Sequence, residues 1–90
     1  MKKGIHVYYS GRVQGVGFRF TARELAGDYN LAGWIRNLHD GRVELAAEAE
    51  EEELQAFLAS IERHFHSYIQ DIDVKWQESS GECKGFRIRF

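Results

Sequence analysis

Alternation of apolar and polar residues predicts strands along most of this chain. Ile5–Tyr9 alternates first, and residues 43–48, 72–77 and 86–90 repeat the pattern further on. This period is typical of a strand with one buried face. Leu31–Leu38 is predicted as another strand, with Trp34 in its middle. We therefore expect five strands, of which the last is short and forms an edge whose apolar residues face the core.

Two other stretches repeat their apolar residues at helical spacing. In the first, Thr21–Tyr29, the apolar residues form one stripe, and Asn30 is a plausible stop because asparagine tolerates the left-handed conformation. The second opens on the acidic run Glu50–Glu53, which suits the positive end of a helix dipole. Its apolar stripe consists of Leu54, Phe57, Leu58, Ile61 and Phe65. Each helix thus has a single face to bury.

The order of these elements is βαββαβ with a short final strand. Two helices with one apolar face each can cover one face of a single sheet. Two strand–helix–strand units with short connections favour a split arrangement. The predicted fold class is therefore α+β: a ferredoxin-like sandwich with an antiparallel sheet and two helices on one face.

Composition narrows the classes of function. The chain of 90 residues is expected to form one domain, 1–90, and its hydrophobic content of 43% can supply a core. A net charge of −2 argues against sequence-independent nucleic-acid binding. No apolar run approaches the roughly 20 residues of a membrane helix. The single cysteine, Cys83, excludes an internal disulfide and fits a reducing compartment. We expect a cytoplasmic monomer without a nucleic-acid or membrane partner.

The segment Gly11–Arg19, with the sequence G-R-V-Q-G-V-G-F-R, connects the first strand to the first helix. A strand, a glycine-rich turn and a helix start direct backbone N–H groups to one place, which favours an anion. We interpret the segment as a phosphate cradle; a tight strand-to-helix connection is the alternative. It is not a Walker loop, since Val16, Gly17 and Phe18 replace the Gly-Lys-Ser/Thr. It also lacks the third glycine of a dinucleotide fingerprint, which Phe20 replaces.

Two polar side chains are candidates for chemistry at this cradle. Arg19 faces the positive end of the first helix, which is unfavourable by some tenths of a kcal/mol unless an anion binds there. A bound phosphoryl group would accept two N–H bonds from its guanidinium; otherwise the side chain points to solvent. Asn37 lies at the end of the second strand, where asparagine is disfavoured. It serves either a site or the turn before Asp40 and Gly41, a hairpin signal.

The glycine segment, followed by W-x-x-N (Trp34 to Asn37) and D-G-x-V (Asp40 to Val43), resembles the acylphosphatase family. The resemblance covers essentially the whole chain. It implies a ferredoxin-like fold and metal-free hydrolysis of acyl phosphates to a carboxylate and inorganic phosphate, with no cofactor. It further implies that Arg19 is essential and that Asn37 orients the attacking water. The implied phosphate-binding loop consists of Val13, Gln14, Gly15, Val16, Gly17 and Phe18.

The residues are consistent with this chemistry because much of the usual phosphatase machinery is missing. The loop has no cysteine or serine nucleophile, no spaced set of ligands suggests a metal, and the histidines are predicted as surface or turn residues. An acyl phosphate needs none of these, since its carboxylate leaving group, with a conjugate-acid pKa of about 4, departs without a general acid. Backbone N–H groups and Arg19 can then stabilise charge, while Asn37 holds water.

Two other functions compete with acyl phosphate hydrolysis. Lys84–Phe90 superficially resembles an RNA-binding motif, but Arg87 stands where glycine or alanine belongs, and the segment is the last strand. A binding or regulatory module is the closer rival, because acylphosphatase-like domains also begin larger hydrogenase-maturation proteins. A chain complete at this length favours a stand-alone enzyme. Carbamoyl phosphate, acetyl phosphate and 1,3-bisphosphoglycerate are unranked candidate substrates.

Overall fold

The structure, a computed structural model, describes residues 1–90. It contains five strands, β1 (Lys2–Gly11), β2 (Ala32–Asn37), β3 (Val43–Glu50), β4 (Ile69–Glu78) and β5 (Phe86–Ile88). The helices are α1 (Phe18–Asp28) and α2 (Glu51–His64). The order of elements confirms the predicted ferredoxin-like α+β fold. No helix has the length and apolarity needed to span a membrane.

The strands form one sheet in the order β4-β1-β3-β2-β5. The pairs β4–β1, β1–β3 and β3–β2 are antiparallel, as expected, whereas β5 pairs parallel to β2 and makes the sheet mixed. The parallel edge arises because β4 and β5 lie at opposite edges. The chain crosses one end of the sheet through residues 79–85 and then enters β5 in the direction of β2.

The core lies between the sheet and the two helices. Along β1, alternate side chains are fully buried, and the α2 stripe lies against the same face. The core side chains with no exposed area on these two elements are Ile5, Val7, Tyr9, Leu54, Phe57 and Ile61. Both predicted helix stripes and the buried face of the first strand are therefore confirmed. Asn30, with φ of 56°, adopts the left-handed conformation expected after α1.

Two boundaries differ from the prediction in ways that concern the site. The helix α1 begins at Phe18, so Arg19 and Phe20 both lie in its first turn. At the other end, β5 stops at Ile88, and Phe90 is 97% exposed. The prediction that Phe90 faces the core was wrong. Because Ile88 pairs with Ile35, Phe90 lies level with Asn37 at the end of β2.

On the sheet face away from the helices, Glu44 is 5% exposed and accepts three hydrogen bonds. The donors are His6 Nε2 at 2.6 Å, Arg36 Nε at 2.7 Å and the Tyr8 hydroxyl at 3.2 Å. Burial raises the pKa of Glu44, but these hydrogen bonds outweigh it and hold the pKa below its usual value. A buried carboxylate needs partners, and one of them is His6, whose side chain is 30% exposed on this face.

Candidate active site

The topology brings the Gly11–Arg19 segment and Asn37 to the same end of the sheet, where β1 and β2 both terminate. Strands β1 and β2 flank β3 and are both antiparallel to it, so they run in the same direction. Their carboxyl ends, Gly11 and Asn37, therefore lie at one edge. A cleft of about 260 Å³ opens there, lined by Val13, Gly15, Gly17, Phe18, Arg19, Phe20 and Asn37.

Not every residue of the predicted phosphate-binding loop lines this cleft. Val16 packs against the core, and the Gln14 side chain is bonded to the β2–β3 hairpin. Phe20, which sequence reasoning did not select, lines the cleft and is 53% exposed. In the sequence, Phe20 could have been recognised as an apolar residue that lies outside the buried stripe of α1.

The backbone of the loop presents a row of unpaired donors. No N–H group from Val13 to Phe20 donates to a protein acceptor, and the first paired one is Thr21, whose N–H donates to the Gly17 carbonyl at 3.0 Å. The first-turn amides of any helix lack an acceptor within the helix. Gly15 and Gly17 both have φ of 78°, a left-handed conformation that turns the loop. Unpaired donors in such a turn form an anion-binding concavity.

Arg19 adds a formal positive charge at this position. Its side chain is half-buried, and no carboxylate lies within ion-pair distance of it. The first turn of α1 contains no acidic residue. The guanidinium carbon lies 5.0 Å from the centre of the Phe90 ring, a cation–π contact. The positive charge at the cleft is therefore not neutralised by the protein.

The position of Arg19 is fixed by its neighbour in the chain. Phe18 is 1% exposed, and its ring centre lies 5.0 Å from that of Tyr9 and 4.5 Å from that of Phe65. This aromatic cluster joins β1, the start of α1 and the end of α2. Since Phe18 is the first residue of α1, the cluster holds the first helical turn, and with it Arg19, against the core.

Asn37 contributes a polar atom of the opposite kind. Its Oδ1 is buried and has no hydrogen-bond partner in the protein. Buried acceptors in native proteins almost always have a partner, so an orphan acceptor in a cleft indicates a group that the ligand or water supplies. The only other orphan is the Tyr9 hydroxyl, which lies in the core, where burial raises its pKa.

Comparison with known proteins identifies the family of the chain. The acylphosphatase family model matches residues 5–88. The chain belongs to the acylphosphatase family. An acylphosphatase from Roseiflexus sp. (strain RS-1) is 43% identical over 84 residues, which is 92% of this chain and 90% of the relative. The predicted enzyme class, a hydrolase acting on acyl phosphates, is thereby confirmed.

Solved acylphosphatase structures share the fold. The crystal structure of the Bacillus subtilis acylphosphatase superposes with a TM-score of 0.91 at 38% identity, covering 98% of this chain and 99% of that one. HypF from T. kodakarensis superposes with a TM-score of 0.84 at 30% identity, but this chain covers only 12% of its length. The acylphosphatase fold therefore also occurs as a small part of a much longer protein.

Proposed function

We propose that this acylphosphatase-family chain hydrolyses acyl phosphates without a metal, by direct attack of water on phosphorus. The observation that carries the proposal is the cleft itself, where unpaired N–H groups and an unneutralised Arg19 face the orphan acceptor of Asn37. The donors suit the three negatively charged phosphoryl oxygens. The acceptor suits the proton of a water molecule.

In the proposed step, loop N–H groups from Val13 to Phe18 and the Arg19 guanidinium hold the phosphoryl oxygens. Preorganised donors of this kind stabilise the charge of phosphoryl transfer. Asn37 Oδ1 accepts a hydrogen bond from water, which directs the lone pair of the water oxygen at phosphorus. The new P–O bond forms as the bond to the acyl oxygen breaks, the carboxylate leaves as an anion, and the proton of the water passes to a phosphoryl oxygen of the substrate.

This set of groups selects the class of substrate. A carboxylate leaves unprotonated because its conjugate acid has a pKa of about 4. The alkoxide of a phosphate monoester needs a general acid, and the cleft residues include none. The proposed substrate is therefore a small acyl phosphate, and the proposed reaction involves neither a nucleic acid nor a membrane.

Benzoyl phosphate hydrolysis by the purified protein in excess EDTA tests the proposal. We expect turnover that EDTA leaves unchanged and that inorganic phosphate inhibits competitively. Beta-glycerophosphate, a monoester with an alkoxide leaving group, should be hydrolysed far more slowly under the same conditions. A folded protein without benzoyl phosphate turnover, or with turnover that requires a divalent cation, would exclude the proposed reaction. The first of these results would instead favour a binding module, a role suggested by the fold's occurrence within the much longer HypF chain.

A further inference from the structure

The side chain of Gln14 connects the two halves of the cleft. Its Nε2 donates to the Leu38 carbonyl at 2.8 Å and to the Arg42 carbonyl at 2.9 Å, in a partly buried position. Carbonyl oxygens only accept hydrogen bonds, so the amide must present its nitrogen, whose two hydrogens serve the two acceptors. One side-chain amide thus bridges the two ends of the turn that connects β2 and β3.

No other hydrogen bond joins the segment 12–17 to this hairpin. The other hydrogen bonds of the segment lead elsewhere. The Arg12 N–H donates to the Tyr68 carbonyl, just before β4, at 2.9 Å, and the Gly17 carbonyl accepts from the Thr21 N–H in α1 at 3.0 Å. The two acceptors of Gln14 also close the hairpin turn. The Leu38 N–H donates to the Arg42 carbonyl at 2.8 Å, and the Gly41 N–H donates to the Leu38 carbonyl at 3.2 Å.

We propose that Gln14 is a positioning residue that sets the distance between the phosphate-binding loop and Asn37. Leu38 follows Asn37 directly, so a bond to the Leu38 carbonyl fixes the backbone that carries the water-holding side chain. The inference rests on the proposed function, in which the loop holds phosphorus and Asn37 holds water. Because the hairpin occupies Gln14 Nε2 and Gln14 is not among the residues that line the cleft, its side chain acts through the hairpin and not on the reactants.

The chemistry is sensitive to this distance. An attacking oxygen must approach phosphorus to about 3–3.5 Å in line, and a misplacement of about 1 Å lowers the rate roughly 10²-fold. Loop and hairpin lie on separate segments, and each is anchored to the core without the other. The hydrogen bonds of Gln14 between loop and hairpin therefore determine whether water approaches phosphorus in the right geometry.

Gln14→Leu tests this role, since leucine keeps an apolar stem without an amide. We expect kcat for benzoyl phosphate to fall about 10- to 100-fold. The inhibition constant of inorganic phosphate should change less than about 3-fold, because the loop amides and Arg19 remain. An inhibition constant that rises as much as kcat falls would overturn the positioning role, since the loop itself would then be damaged.

A double-mutant cycle with Asn37→Ala sharpens the test. If Gln14 acts through Asn37, Gln14→Leu should alter kcat less than about 2-fold once Asn37 is alanine. If kcat of the double variant instead falls by the product of the decreases in the two single variants, the proposal is contradicted. Glu48→Gln serves as the matched control, because Glu48 likewise ties a loop backbone to the sheet, but remote from the cleft. This control should lower stability and leave kcat unchanged.

Amide hydrogen exchange separates this inference from the proposed function, since it does not depend on turnover. In Gln14→Leu, the amides of Leu38 and Gly41 should exchange faster than in the unmodified protein. Unchanged exchange would exclude the tie. Faster exchange with unchanged kcat would overturn only the positioning role, whereas full activity of Asn37→Ala would overturn the proposed mechanism.

Discussion

The Arg19 guanidinium has no hydrogen bond or ion pair within the protein, and Asn37 Oδ1 has no hydrogen-bond donor. Leaving one buried acceptor unsatisfied costs about 1–3 kcal/mol, a considerable part of the stability of a small domain. The two groups have opposite roles in hydrogen bonding, since the guanidinium only donates and Asn37 Oδ1 only accepts. In the proposed reaction they therefore serve different reactants, Arg19 the phosphoryl group and Asn37 the water.

Substitution should separate these two roles. In Asn37→Ala we expect kcat to fall about 10²- to 10³-fold, the usual effect of removing one preorganised group. The inhibition constant of phosphate should stay within about 3-fold, because every phosphoryl ligand remains. In Arg19→Ala, both turnover and phosphate inhibition should be lost. Steady-state kinetics with benzoyl phosphate measures turnover of both variants and the phosphate inhibition of Asn37→Ala, while calorimetric titration measures phosphate binding to the inactive Arg19→Ala. Unchanged kcat in Asn37→Ala would remove this residue from the mechanism.

Arg19→Lys is the informative control for the arginine. Lysine keeps the charge but lacks the planar fork that donates two parallel hydrogen bonds. We expect phosphate to bind this variant more weakly than the unmodified protein but more tightly than Arg19→Ala. Equal losses in both variants would indicate that the fork matters and the charge alone does not.

The sequence predicted Arg19 and Asn37 as site residues because motif and resemblance both concern side chains. It could not predict the Gln14 tie, whose acceptors are backbone carbonyls of Leu38 and Arg42. Carbonyl groups are present at every residue, so only the folded chain shows where two of them converge. The same limit applies to His6, whose partner Glu44 is hidden by packing that no local pattern reveals.

Among the elements, the first residues of the β4–β5 connection are held by one carboxylate. Glu48 on β3 accepts hydrogen bonds from the Ser79 hydroxyl at 3.1 Å and the Ser80 hydroxyl at 2.6 Å. It also accepts from the backbone N–H groups of Ser80 at 2.7 Å and Gly81 at 3.1 Å. The hydrogen bonds from Ser80, the Ser80 and Gly81 backbones and Ser79 hold the pKa of Glu48 below its usual value despite partial desolvation. Glu48 thereby directs the chain toward β5.

This carboxylate should make stability depend on pH. The pKa of Glu48 is lower in the folded protein than its unfolded value of 4.5, so its contribution is complete above that value and is lost as pH falls through the folded pKa. We expect Glu48→Gln to lower the urea midpoint at pH 7 and to reduce the loss of stability between about pH 5 and pH 3.

Glu24→Gln is the control for this prediction, because Glu24 is exposed and makes no hydrogen bond or ion pair. Its urea midpoints should follow those of the unmodified protein across the acid range. An acid transition in Glu48→Gln that is as steep as in the Glu24→Gln control would contradict the assigned role of Glu48.

The elements themselves were largely predictable, whereas the direction of β5 was not. The spacing of apolar residues reflects which side of an element is buried, so it can be read from a short segment, as in the apolar stripe from Leu54 to Phe65. The direction of β5 depends on where residues 79–85 cross the sheet, and this crossing is held by Glu48 on β3 and by the Gly33 N–H on β2, both far away in the sequence. Phe90 continues the alternation of β5 but lies past the end of the strand and is exposed, so pattern alone placed it wrongly in the core.

At the scale of the whole molecule, strand order creates the site. The loop after β1 and the end of β2 are separated in sequence by α1, yet both face one cleft because β3 lies between two strands of the same direction. The ferredoxin-like fold predicted from the order of elements implies this arrangement. The family resemblance predicted which residues would meet there. The unpaired state of the loop amides and of Asn37 Oδ1 became visible only in the structure.

The central claim is that water attacks phosphorus within this cleft, and oxygen labelling tests it most directly. Benzoyl phosphate is hydrolysed in water enriched in ¹⁸O, with Arg19→Ala as the control for spontaneous hydrolysis, and both products are analysed by mass spectrometry. If the loop holds phosphorus and Asn37 holds water, the label enters inorganic phosphate and benzoate stays unlabelled. Label in benzoate above the control would show attack at the acyl carbon and would contradict the proposed mechanism.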